Sequence, residues 1–213
     1  MNFSSDFFSN LNKQLKQVLP GESAQKKLSA HPDYTIKGLL QKNPNPRQSA
    51  VMIVLWPENN GVRCLLIRRS DSASAHGGQM AFPGGKWDEL DTDLIQTAIR
   101  ETREEIGLGL DTQSVIGALS PLYIPVSNFL VNPFVASCGM RPLLSIEPAE
   151  VQDVVDFDLG HILNDQNIHI GERLLQNGAK LKTPYYEIEG FEVWGATAMI
   201  LSELAEVLRI ISS

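Results

Sequence analysis

Three glutamates within one helical turn are the residues of this chain best suited to chemistry. Glu101, Glu104 and Glu105 have the spacing i, i+3 and i+4, which on a helix puts three carboxylates on one side of about one turn. Their repulsion costs roughly 0.2–0.5 kcal/mol per pair, and a divalent cation would turn it into attraction. Ligands that are all oxygen select a hard ion, so the pattern predicts Mg²⁺ or Mn²⁺.

A sharp glycine turn precedes this acidic segment. In Phe82-Pro83-Gly84-Gly85, the two glycines allow the backbone to approach a ligand closely. Mg²⁺ is commonly shared between one or two carboxylates and phosphate oxygens, so the turn and the glutamates together predict a phosphate-bearing substrate. The competing interpretation is a solvated acidic face, which is common for glutamates at this spacing.

One helix must position the glutamates. Apolar residues recur at helical spacing from 94 to 106, so the opposite face is apolar and the acidic stripe has a single orientation. Asp91 or Thr92 is placed to cap the helix, and Gly107 is placed to end it.

Strand patterns lie on both sides of that helix. They cover 50–56, 62–68, 79–82, 115–124, 129–136, 173–175, 180–188 and 191–194, with a tight turn at Asn177-Gly178. An amphipathic helix is predicted at 196–211, and a first helix runs from Phe3 to Leu19. We therefore expect an α+β fold with a mixed β-sheet sandwiched between helices (α/β/α). Residues 1–42 are predicted to be an N-terminal helical extension packed on a main domain at 43–213.

The overall charge excludes some partners. Twenty-five acidic and 18 basic residues give a net charge of −7, which argues against nucleic acid or an anionic membrane as partner. The two cysteines, Cys64 and Cys138, are far apart in the chain and fit a reducing compartment. No apolar run has the length of a membrane helix, and the first 19 residues lack the pattern of a signal peptide. We expect a cytoplasmic protein; a homodimer is compatible with the sequence.

The segment 85–108 resembles the Nudix box, G-x5-E-x7-R-E-U-x-E-E-x-G-U, where U is aliphatic. The matching residues are Gly85, Arg100, Glu101, Glu104, Glu105, Gly107 and Leu108. The interval from Gly85 to Arg100 is one residue longer than in the pattern, Asp91 or Thr92 stands at the isolated glutamate, and Thr102 replaces an aliphatic residue.

The residues before the box are similar to the signature of the coenzyme A pyrophosphatase branch of that family, L-L-[TS]-x-R-[SA]-x3-R-x3-G-x3-F-P-G-G. The matching residues are Leu65, Leu66, Arg69, Ser70, Gly78, Phe82, Pro83, Gly84 and Gly85. Ile67 and Ser74 differ, and Ser74 stands where the signature has an arginine that could hold an anionic part of the substrate.

The resemblance implies a Nudix fold and metal-dependent hydrolysis of the pyrophosphate bond in a nucleoside diphosphate linked to another moiety. It implies coenzyme A or acyl-coenzyme A as substrate, cleaved to 3′,5′-ADP and 4′-phosphopantetheine or its acyl form. The expected metal ligands are Glu101, Glu104, Glu105 and the Gly85 carbonyl. Arg100 is expected to orient the glutamates, and Glu150 or one of the box glutamates to act as base. The expected substrate contacts are Arg68, Arg69, His76 and Gly84.

Three other functions stay open at this stage. A different Nudix substrate, such as ADP-ribose, a dinucleotide or a nucleotide sugar, is motivated by Ser74. A nucleotide-binding module without catalysis is motivated by the departure at Asp91 and Thr92. An isomerase of allylic diphosphates would need a catalytic cysteine, and neither Cys64 nor Cys138 has a motif around it.

Overall fold

A computed structural model describes residues 6–31, 35–59, 61–70, 77–174 and 180–212. Its helices are α1 (Phe7–Gln14), α2 (Glu22–Gln25), α3 (Ile36–Lys42), α4 (Leu94–Ile106) and α5 (Gly195–Ile211). Its strands are β1 (Arg47–Glu58), β2 (Gly61–Arg69), β3 (Met80–Ala81), β4 (Gly84–Lys86), β5 (Val115–Ala118), β6 (Leu122–Ile124), β7 (Phe129–Ser137), β8 (Val151–Asp158), β9 (Ile168–Leu174), β10 (Lys180–Ile188) and β11 (Phe191–Trp194).

The main sheet is mixed and is organised around β1. This strand pairs in parallel with β7 and forms an antiparallel hairpin with β2. Beyond the hairpin β1 and β2 diverge: β3 pairs with β2, while β4 pairs with β1. The segment 80–86 therefore lies in the fork between the two central strands. A second, antiparallel sheet contains β9, β10 and β11.

The sheet lies between two helical layers because β1 is apolar on both faces. Met52 and Val54 pack with α4, whereas Ile53 and Leu55 pack in the cluster that contains α5. Alternate residues of a strand point to opposite faces, so one continuous apolar run supplies both cores. The expected α/β/α sandwich is confirmed.

The N-terminal segment packs on the main body. Leu11 of α1 is fully buried in the α5 core. The buried carboxylate of Glu203 in α5 accepts hydrogen bonds from Gly21 N (3.1 Å), Ser120 N (3.2 Å) and Gln25 Nε2 (3.0 Å). These bonds stabilise the segment against α5, and the domain division at residue 42 stays a prediction.

Several sequence-based boundaries were wrong. The α4 cap is Asp93, whose side chain accepts from Gln96 N, and neither Asp91 nor Thr92 caps the helix. The first helix begins at Phe7 and ends at Gln14; Phe3 lies outside the described residues. β8 was not predicted, because three acidic residues interrupt its apolar alternation. The proposed turn at Asn177-Gly178 also lies outside the described residues.

None of the helices in the described part of the chain is long and apolar enough to cross a membrane.

Candidate active site

The glycine turn fills the fork of the sheet so tightly that side chains do not fit. Gly84 has φ +148°, and a β-carbon there would overlap the Ala50 carbonyl and approach Val51 Cα to 2.6 Å. A β-carbon on Gly85 would overlap the carboxyl group of Glu101. The absence of a side chain at Gly85 therefore allows a carboxylate of α4 to lie directly against the backbone of β4.

Helix α4 delivers its three glutamates to different depths. The side chains of Glu105, Glu101 and Glu104 are 1%, 16% and 50% exposed. The helix packs through Ala98 and Ile106 against the sheet, so its orientation carries Glu105 inward toward the fork and leaves Glu104 at the rim. The three carboxylates share one side of the helix, as expected, but occupy three environments.

Glu105 joins the two sequence motifs at one point. Its Oε2 accepts a hydrogen bond from Gly84 N at 2.8 Å, and its Oε1 lies 3.3 Å from Arg69 Nη1. Burial raises the pKa of Glu105 to about 7, and the charges of Glu101 and Glu150 add to the rise; the Gly84 amide and Arg69 oppose it. Burial thus disfavours the charged form of Glu105 more than Gly84 N and Arg69 favour it, and a bound metal ion would stabilise that charged form.

Arg100 forms hydrogen bonds with three carboxylates at the more exposed side of the site. Its Nη1 donates to Glu101 and to Glu104, both at 2.9 Å. Its Nε and Nη2 donate to Asp91 at 2.9 and 3.0 Å. Arg100 thus contacts both Glu101 and Glu104, and its role in orienting them at a metal site stays a prediction. Burial is the largest cause of a raised pKa at Glu101, and Arg100 lowers it in part.

Asp91 is a further partner of Arg100, and the sequence analysis did not predict this contact. Besides Arg100, its carboxylate accepts from Thr97 Oγ1 at 2.8 Å. Asp91 therefore holds the guanidinium of Arg100 in position on the loop before α4. The available signal was its place six residues after Gly85, where the Nudix pattern has its isolated glutamate.

We expect Asp91→Asn to lower the free energy of unfolding by about 1–3 kcal/mol near pH 7, because Arg100 loses a charged partner that is only 5% exposed. Arg100 lowers the pKa of Asp91 from 3.8 to about 2. A lowered pKa stabilises the fold above the ordinary value and loses that effect as the pH falls through about 2. Urea denaturation should show the gap between wild type and variant narrowing below about pH 4. Glu89→Gln, which changes an exposed loop residue, is the control. If the difference in stability between wild type and Asp91→Asn did not depend on pH, the stabilising role of the Asp91–Arg100 ion pair would be contradicted.

The other predicted site residues differ in where they lie relative to the glutamates. Glu150 immediately precedes β8, not a helix, and its charge contributes to the raised pKa of both Glu101 and Glu105. Arg68 lies one residue from Arg69 and hence on the other face of the sheet, with its guanidinium 5.8 Å from the Phe191 ring centroid. His76 lies outside the described residues. The proposed roles of these three residues stay predictions.

The residues fit a divalent ion as a partial site. Among the described residues, no three His, Cys, Asp or Glu side chains lie close enough to enclose a metal by themselves. The candidate donors are the carboxylates of Glu101 and Glu105, whose charges influence each other, and the Gly85 backbone, against which the Glu101 carboxyl group lies. Such a set suits Mg²⁺, which takes one or two carboxylates and completes its shell with waters and substrate phosphates.

Comparison with known proteins gives the class to which this fold and site belong. The model of the NUDIX domain matches residues 46–158. The human mitochondrial coenzyme A diphosphatase NUDT8 is 35% identical over 167 residues, which cover 76% of this chain and 70% of that protein. The uncharacterized Nudix hydrolase NudL of Photorhabdus laumondii is 32% identical over 168 residues, covering 78% of this chain and 87% of that protein.

Solved structures agree on the fold. A MutT/nudix family protein from Enterococcus faecalis superposes with a TM-score of 0.56 at 14% identity, over 91% of this chain and 76% of that one. A NUDIX hydrolase from Alicyclobacillus acidocaldarius gives 0.52 at 18% identity, over 79% of this chain and 96% of that one. The chain belongs to the Nudix family. It is a Nudix pyrophosphohydrolase, a class that generally uses divalent metal ions.

Proposed function

We propose that the enzyme hydrolyses the pyrophosphate bond of coenzyme A and its acyl thioesters with Mg²⁺ or Mn²⁺, releasing 3′,5′-ADP and 4′-phosphopantetheine or its acyl form. The observation that carries the proposal is the contact of Glu105 with Gly84 N and Arg69. Arg69 and Gly84 belong to the coenzyme A signature and Glu105 to the Nudix box, so both motifs meet at one point. The name of the human relative, a coenzyme A diphosphatase, supports the same substrate.

Each residue of the site has a proposed role in this hydrolysis. A bound divalent ion neutralises pyrophosphate oxygens and lowers the pKa of water. Glu101 and Glu105 would hold it with the Gly85 carbonyl, and Glu104 would contribute from the rim. Arg100 keeps Glu101 in place, and the remaining donors of Arg69, which is 26% exposed, can receive a phosphate oxygen. Glu150 is the proposed acceptor of the proton from the attacking water, because its carboxylate acts on both Glu101 and Glu105 and would become neutral on taking the proton.

A substrate panel tests the proposal. Coenzyme A, acetyl-coenzyme A, ADP-ribose, a dinucleotide and a nucleotide sugar are each incubated with Mg²⁺ or Mn²⁺ in ¹⁸O-water, and products are resolved by mass. We expect the highest kcat/KM for the coenzyme A compounds and one heavy oxygen in one of the two phosphate products. A higher kcat/KM for ADP-ribose or the nucleotide sugar contradicts the substrate. Binding without any hydrolysis contradicts the reaction and favours a non-catalytic module.

A cytoplasmic location and a homodimer stay proposals beside this function. The relatives include bacterial proteins as well as proteins named mitochondrial or chloroplastic.

A further inference from the structure

A second cleft, distinct from the glutamate site, lies between the end of the β2–β3 connection and the small sheet. It has a volume of about 380 Å³, within the range of small-molecule sites. Its described walls include Gly78 and Met80 on one side and Arg173, Phe191, Glu192 and Trp194 on the other. An arginine between aromatic rings is a combination that suits a nucleotide, since it offers both stacking surface and charge.

Arg173 packs against two aromatic rings at this cleft. Its guanidinium carbon lies 5.3 Å from the Trp194 ring centroid and 5.4 Å from that of Tyr185. Its Nε and Nη2 are buried and have no hydrogen-bond partner among the described residues. Nη2 forms an ion pair with Glu192 at 2.7 Å without hydrogen-bond geometry. Nε and Nη2 form the edge of a guanidinium that can bind two oxygens of one phosphate.

Glu192 is the group that an incoming anion would replace. Its side chain is 49% exposed, so it can turn into solvent while Arg173 stays packed between rings. Helix α5 begins next to Trp194 without a side-chain cap in the described structure, and its positive end adds to the attraction for an anion.

The cleft is connected to the glutamate site through one residue. Gly78 N donates to Arg69 O at 2.9 Å, and Arg69 N donates to Gln79 O at 3.0 Å. The side chain of the same Arg69 reaches Glu105. Phe191 of the cleft lies near Arg68, on the face of β2 opposite to Arg69 and Glu105, so one substrate with phosphates at two separated positions would reach both sites around this end of β2.

We propose that the Arg173 cleft binds a phosphate monoester on the ribose of an adenine nucleotide, with Phe191 and Trp194 beside the base. The proposal rests on the proposed function, because the 3′-phosphate of coenzyme A is such a group. Because this chain has Ser74 where the signature has an arginine, Arg173 is the cation we assign to this phosphate. It makes the enzyme select coenzyme A over its 3′-dephospho form.

Steady-state kinetics on coenzyme A and 3′-dephospho-coenzyme A test this selection. We expect Arg173→Met to raise KM for coenzyme A by about 10-fold or more with little change in kcat, and to leave KM for the dephospho form unchanged. Glu192→Gln should lower KM for coenzyme A only, because a competing carboxylate is removed. Arg141→Met, which removes an exposed arginine, is the charge-matched control and should change neither. Equal effects on both substrates, or none, would overturn the proposal.

Equilibrium binding separates this proposal from the proposed function. By calorimetry, wild-type protein should bind 3′,5′-ADP more tightly than 5′-AMP, and Arg173→Met should abolish the difference. If wild type cleaves neither coenzyme A nor its dephospho form, the proposed function is wrong, yet the ADP preference still supports the cleft. Equal binding of the two nucleotides by wild type overturns the cleft, whatever the enzyme hydrolyses.

Discussion

Replacing Glu105 with Gln is expected to lower kcat by roughly 10²- to 10³-fold without unfolding the protein. Loss of a metal ligand removes several kcal/mol of transition-state stabilisation, and each 1.36 kcal/mol is about tenfold in rate. The amide oxygen of the introduced side chain can still accept the hydrogen bond from Gly84 N, and the side chain has nearly the same shape, so packing is retained. Turnover of coenzyme A at saturating Mn²⁺, measured beside wild type, gives the result.

Glu104→Gln is the matched control, because the same substitution one residue earlier changes a side chain that is 50% exposed. It should reduce kcat much less. Unchanged turnover in Glu105→Gln, or an equal loss in both variants, would contradict the assignment of Glu105 as a main metal ligand.

The pH dependence of the free energy of unfolding, measured without metal, tests whether Glu105 has a raised pKa in the folded protein. The raised pKa of Glu105, about 7 against an ordinary 4.5, means that its folded form binds a proton more tightly than the unfolded chain. This stabilisation is complete below 4.5 and is lost as the pH rises through about 7, an effect on the order of 3 kcal/mol. In the presence of chelator, urea denaturation of Glu105→Gln should show a smaller fall in stability between pH 5 and 8 than wild type shows.

Local patterns in the sequence predicted the part of the site that lies on one helix. The spacing of Glu101, Glu104 and Glu105 and the apolar face of α4 follow from helical periodicity alone. Their unequal depth could not be predicted, because it depends on how α4 meets the fork of β1 and β2, which is determined by pairings distant in sequence. The same local pattern is compatible with three equally exposed carboxylates.

Contacts between distant segments account for what was missed. The Arg69–Glu105 contact spans 36 residues, and Arg173 and Gly78, far apart in sequence, line the same cleft. β8 was overlooked because its acidic residues resemble a loop, yet it pairs along β2 over seven residue pairs and brings Glu150 to the site. Asp91 was recognised by position in the Nudix pattern, but only the folded loop shows that it binds Arg100.

A β-carbon at Gly85 is expected to impair catalysis more than stability. In Gly85→Ala the new methyl group would occupy the space of the Glu101 carboxyl group, and that group is the end of a flexible side chain which can move aside. Its displacement moves the Glu101 carboxyl group away from the backbone of β4. A displacement of about 1 Å can cost on the order of 100-fold in rate. We expect kcat to fall by about that factor, while urea denaturation shows a nearly unchanged midpoint.

Gly84→Ala, one residue earlier, should give the opposite result. Its methyl group would meet the Ala50 carbonyl and Val51 Cα, which are backbone atoms of the central strand, and φ +148° is itself strained for alanine. Stability should fall by about 4 kcal/mol or more, with activity lost through unfolding. If Gly85→Ala were as unstable as Gly84→Ala, the turn would serve packing alone. If Gly85→Ala retained full turnover, the contact between Glu101 and the β4 backbone would have no part in holding the metal.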